Sequence, residues 1–148
     1  MEINGLPLHP LVVHAAVVFG PLAAIAALAY VVLPAWRDRL RWPMLVLALM
    51  GTGAIAAAYV SGMNFFNSRP PELQQLDLLQ THRTRAIRLF WVTLGFGVLA
   101  VLAAWLHNRT GAVRVVLNVL LGLAALAVLA LAVLAGDSGS RAVWEGSV

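Results

Sequence analysis

The chain has 148 residues, of which 61% are hydrophobic and only 11% charged, with a formal net charge of +4 and no cysteine. Soluble domains run at roughly 45–50% hydrophobic and about 25% charged, and one this small could not hide the excess from water. The composition is that of an integral membrane protein, and the missing cysteines exclude disulfides, cysteine-ligated iron–sulfur clusters and covalent haem attachment.

All ten basic residues are arginines, and they sit between apolar runs. That is the pattern of loops and helix ends at a headgroup surface, so no nucleic-acid partner is expected. The N-terminus lacks a basic segment and a small-residue cleavage site, and the first apolar run is expected to stay in the mature protein.

Four runs approach the ~20 apolar residues that a bilayer crossing requires, at 11–33, 44–61, 86–106 and 113–135. Pro10 precedes the first and suits a first helical turn, Pro34 stops it, and Gly20-Pro21 predicts a kink inside it. Residues 34–43 read as a short loop holding Trp36 and Trp42. The second run carries Gly51, Gly53, Ala54, Ala57 and Ala58, small residues that let helices approach closely.

Residues 61–71 read as the longest irregular connection. Pro71-Glu72 then signals a helix start, and one long helix is expected from there through the third span, entering the membrane near His82. His107 to Gly111 forms a tight turn, with His107 as a helix C-cap. The fourth run is expected to end at Gly136-Asp137-Ser138-Gly139. That tetrapeptide resembles a serine-protease nucleophile segment, but it terminates a membrane helix and lacks the required scaffold. No internal repeat stands out.

Short connections after the first and third runs make these neighbours antiparallel. The predicted fold is an all-α integral membrane domain, an up-down-up-down four-helix transmembrane bundle spanning 1–148. Both termini and the 61–81 connection then share one face, and Arg37, Arg39, Arg41, Arg109 and Arg114 lie on the other. Because Arg37, Arg39 and Arg41 crowd one short loop, that loop is expected in the cytoplasm and both termini outside it, in a bacterial plasma membrane.

His9, His14 and His82 fall on the terminus face. A histidine one turn inside a span is costly and calls for a partner or a job. His14 and His82 are expected at similar depth on different helices, where two imidazoles can take both axial positions of a haem iron. Arg83 and Arg85 would pair with the haem propionates at the water boundary. His9 is five residues from His14, about 140° round a helix, and is read as a boundary residue held by Pro10. Asp137 is a candidate partner for an imidazole, and Tyr59 and Trp144 for a cofactor edge.

The opening Leu6-Pro7-Leu8-His9-Pro10-Leu11-Val12-Val13-His14 resembles a widespread bacterial family of small, predicted four-span membrane proteins of unknown function. His9, Pro10, Val13 and His14 match its His-Pro-x-x-Val-His pattern, and His82 matches a histidine that opens its third span. The glycine-rich family tail corresponds to Gly136 through Val148, with Ser140 and Trp144 replacing a glycine and a tyrosine. Relatives fused to Rieske-type or cytochrome domains imply a redox setting. The expected function is therefore a b-type haem electron carrier rather than an enzyme, with His14 and His82 as iron ligands and the haem b toward the outer face. Its partners would be the lipid bilayer and a quinone or redox protein, in a homo-oligomer or a larger complex. The rival expectation is a cofactor-free structural or assembly subunit, or a transient copper binder.

Overall fold

The computed structural model describes residues 2–3 and 6–145; the last positions of the tail, 146–148, lie outside the described residues. A two-residue antiparallel pairing, β1 (Glu2–Ile3) with β2 (Leu6–Pro7), leads into helix α1 (Leu8–Val32). A single 3-10 turn, Pro34–Trp36, joins α1 to α2 (Arg37–Asn67). After a one-turn helix α3 (Pro71–Gln74), α4 (Asp77–Trp105) and α5 (Ala112–Trp144) complete the chain.

Local chemistry explains the boundaries. Pro10 is the third residue of α1, where a missing backbone N–H costs nothing. Acidic residues open α2 and α4, where Asp38 and Asp77 meet the positive end of the helix dipole. Gly111 adopts φ 68°, a left-handed conformation that reverses the chain between α4 and α5.

Several helices outrun the sequence expectation. Helix α2 runs six residues past Ser61 to Asn67, so the irregular connection is shorter than its polar composition suggested. Pro43 lies inside α2 rather than in a loop, because α2 already begins at Arg37. The expected single helix from Pro71 is broken after Gln74, and Leu76 takes an extended conformation before α4. Helix α5 passes through Gly136-Asp137-Ser138-Gly139 and ends at Trp144; packing against α4 holds these residues helical despite their low propensity.

The four long helices form a ring in the order α1, α2, α4, α5. His9 near the start of α1 meets Ala58 near the end of α2, while Gly20 lies against Ile55 and Gly51 against Phe19. His82 likewise meets Ala135, and Arg85 meets Leu134, so each hairpin runs antiparallel. Exchanging α1 for α4 and α2 for α5 leaves the ring unchanged.

Alanines dominate the buried interior: Ala23, Ala24, Ala27, Ala48, Ala100, Ala103, Ala104 and Ala125 pack around Tyr30, Phe96, Met44, Leu121 and Val128. Large apolar side chains point outward instead, among them Val17, Val133, Trp91 and Trp105. In water that arrangement would forfeit most of the available hydrophobic burial; in lipid it costs nothing, and small residues bring helix backbones together. All four helices are long and apolar enough to cross a bilayer. The shortest has 25 residues, which at ~1.5 Å each exceeds a hydrocarbon core of about 30 Å.

Candidate cofactor site at the paired histidines

His9 is the second residue of α1, and its ring turns inward onto α2. Its Nδ1 lies 3.1 Å from the Ala58 carbonyl oxygen and 3.2 Å from Ser61 Oγ. His82, in the second turn of α4, repeats the arrangement on α5, with Nδ1 3.1 Å from the Ala135 carbonyl and 3.2 Å from Ser138 Oγ. Both serines are buried, and each donates its own hydroxyl proton to the same carbonyl that receives the imidazole.

A glycine makes room for each ring. A Cβ on Gly62 would sit 2.8 Å from His9 Cε1, and one on Gly139 would sit 3.0 Å from His82 Cε1. The two half-sites therefore read Ala58-Tyr59-Val60-Ser61-Gly62 and Ala135-Gly136-Asp137-Ser138-Gly139, a shared Ala-x-x-Ser-Gly on the partner helix of each histidine. The hairpins repeat, contrary to the sequence expectation of no internal repeat. The repeat is hidden because it rests on three matching positions of the partner helix and one histidine, within helices otherwise built of interchangeable small and aliphatic residues.

A carbonyl oxygen can only accept, so Nδ1 of each histidine must carry the proton. The neutral tautomer then leaves a lone pair on Nε2, and no hydrogen bond reaches Nε2 of either ring among the described residues. In metalloproteins a hydrogen bond from one ring nitrogen to a carbonyl fixes the tautomer and orientation of an imidazole whose other nitrogen binds the metal. Both rings belong to the same end of the bundle and lie within electrostatic range of one another. Phe65 stacks on His9 at 6.2 Å with an interplanar angle of 22°, adding an apolar wall on that side.

The other expected site residues fall into different places. His14 is exposed, and its Nδ1 bonds the Pro10 carbonyl of its own helix at 2.7 Å. The angular offset between His9 and His14 allows only one of them to face α2, and the structure puts His9 there. The boundary role expected for His9 and the inward role expected for His14 are thus exchanged. Arg85 ties α4 to α5, donating Nη1 to the Leu134 carbonyl at 2.8 Å and to Asp137 Oδ2 at 3.4 Å.

Arg83 lies over the Phe66 ring at 5.1 Å, and its Nε is buried without a hydrogen-bond partner. Asp137 bonds Arg85 and Arg141 rather than an imidazole; the neighbouring Ser138 takes that role. Tyr59 stacks on Phe90 at 4.2 Å, and Trp144 is exposed. His107 is no simple cap: Leu106 caps α4, and the His107 ring is buried between Tyr30 and Asp38.

Among the described residues, no three or more His, Cys, Asp or Glu side chains converge on one point. No curated protein and no solved structure matches the chain. Residues 5–148, nearly the whole chain, match the family described as predicted membrane protein (DUF2231), and the chain belongs to that family.

Proposed function

We propose that the protein binds one b-type haem at the paired-histidine end and acts as a membrane electron carrier, with Nε2 of His9 and His82 as the two axial ligands. The observation that carries this reading is the matched pair of Nδ1–H to carbonyl hydrogen bonds, which orients two free Nε2 lone pairs from two equivalent hairpins. The ligand pair differs from the one read in the sequence by one residue, His9 in place of His14.

A two-imidazole donor set suits haem better than a bare ion. Porphyrin supplies four nitrogens and needs only two axial ligands from protein, whereas a structural zinc site takes four protein ligands and a catalytic one three. The buried, unpartnered Nε of Arg83, one residue from His82, fits an incoming propionate. Arg85 is less suited, since Leu134 and Asp137 already engage it.

Bound haem would supply a reversible one-electron step. The protein's part would be to hold both imidazoles in one tautomer and keep them between apolar helices; two imidazole ligands would favour electron transfer over oxygen chemistry. Arg37, Arg39 and Arg41 around the α1–α2 turn favour a cytoplasmic location for that end in a bacterial plasma membrane. The histidine end then lies toward the outside, where a quinone or a redox protein would exchange the electron.

The test is a difference spectrum. Protein purified in detergent and supplied with haem is expected to give a low-spin spectrum that sharpens on dithionite reduction. His9→Ala and His82→Ala should each abolish the low-spin signal, and His14→Ala should keep it. A preparation that stays colourless, or one that loses its signal only with His14→Ala, sinks the assignment.

A further inference from the structure

The opposite end of the bundle carries a second polar cluster that the histidine pair does not use. The hydroxyl of Tyr30, only 1% exposed, is hydrogen-bonded to His107 Nδ1 at 2.8 Å and lies 3.3 Å from the Ala103 carbonyl oxygen. His107 Nε2 in turn donates to Asp38 Oδ1 at 2.7 Å. Asp38 is the one acid at this end among the described residues, where five arginines gather.

Arg37 Nη2 donates to Asn118 Oδ1 at 2.7 Å, and the guanidinium lies 4.9 Å over the Tyr30 ring. Its Nε is buried with no hydrogen-bond partner. From the start of α5, Arg114 reaches the same place, held by its Nε bond to the Arg109 carbonyl at 3.0 Å. Tyr30, Arg37, His107, Arg114 and Asn118 surround a notch of about 10 Å³, room for about one water-sized atom. The exposed indoles of Trp36, Trp42 and Trp105 cluster at the same end, as residues at headgroup level do.

We propose that this notch is a phosphate-binding site. One phosphate oxygen fills it and accepts from Arg37 Nε, and Arg114 engages the oxygens that remain outside. Arginine is the side chain suited to this, because its planar fork donates two parallel bonds to a phosphate. At this depth the phosphate is presented by an anionic phospholipid or arrives free in solution. Basic pockets between transmembrane helices bind lipid headgroups by this chemistry. The site is independent of the haem reading.

The experiment uses the full chain, delipidated in a neutral detergent. Thermal unfolding is followed by tryptophan fluorescence in three arms: phosphatidylglycerol micelles, phosphatidylcholine micelles, and inorganic phosphate against chloride at equal ionic strength. Phosphatidylglycerol is expected to bind about tenfold more tightly than phosphatidylcholine, whose choline cation would face the arginines. Arg114→Gln, which gives up only a tie to a backbone carbonyl, should remove that preference, while Arg109→Gln at the same end should keep it. Arg37→Gln should behave as Arg114→Gln does. Stabilisation by inorganic phosphate that Arg114→Gln abolishes would support the site and assign it to a free anion. Equal binding of both lipids with no response to phosphate overturns the proposal, and so does equal loss in Arg109→Gln.

Discussion

At the scale of single residues, the two glycines under the imidazoles test the site most directly. Gly139→Ala would place a Cβ 3.0 Å from His82 Cε1 and force the ring off its bond to the Ala135 carbonyl. The expected outcome is a weakened or shifted low-spin haem spectrum with the helical content unchanged by circular dichroism. At the far end, Tyr30→Phe leaves His107 Nδ1 buried without its hydrogen-bond partner. An unsatisfied buried group costs roughly 1–3 kcal/mol, so the midpoint of denaturant unfolding should fall by that amount. Neither tyrosine nor serine advertised these roles in the sequence. The cost of a histidine inside a span pointed to His14 and, at similar depth on another helix, to His82; the structure turns His82 onto α5 and leaves His14 bonded to its own helix. What decides between His9 and His14 is helical phase relative to a neighbour, and a single helix of uniformly apolar residues does not reveal its phase.

At the scale of helices, existence was legible and length was not. Four apolar runs predicted four membrane-length helices because a helix is the one form in which a single segment satisfies its own backbone within a bilayer. The ends moved because propensity yields to packing: Ser138 and Gly139 stay helical where glycine was read as a stop, since their helix carries the groove that receives His82. Close approach within the first hairpin rests on Gly51. A Cβ there would lie 2.8 Å from the Phe19 carbonyl oxygen and 2.9 Å from Ala23 Cβ. Both are rigid neighbours, so Gly51→Ala should push α1 from α2. Overpacking of this kind costs about 1–3 kcal/mol, read as a lower unfolding midpoint in detergent, whereas Gly53→Ala, which meets open space, should be near neutral.

At the scale of the whole molecule, the proposed ligand pair bridges the two hairpins. Helices α1 and α2 supply one imidazole with its orienting carbonyl, and α4 and α5 supply the other. A cofactor held by both should therefore resist separation of the halves. Haem-loaded protein is expected to melt at a higher temperature than haem-free protein, by an amount that grows with free haem concentration. The His9→Ala and His82→Ala proteins should show no such concentration dependence, and a scan across haem concentrations checks it.

The repeat of Ala-x-x-Ser-Gly has one more consequence, which concerns how the protein can be interrogated. Each half-site holds its imidazole with the same partners at the same distances, so a substitution at its histidine, serine or glycine has a matched substitution in the other hairpin. Ser61→Ala and Ser138→Ala, or Gly62→Ala and Gly139→Ala, form pairs in which one chain serves as its own reference. The surroundings differ: Phe65 stacks on His9 where the corresponding position after Gly139 is Ala142, and the Arg85–Asp137 pair stands only beside the His82 half-site. A difference between matched variants then reports these neighbours rather than the shared hydrogen bond, and Phe65→Ala measures the share that belongs to the aromatic wall.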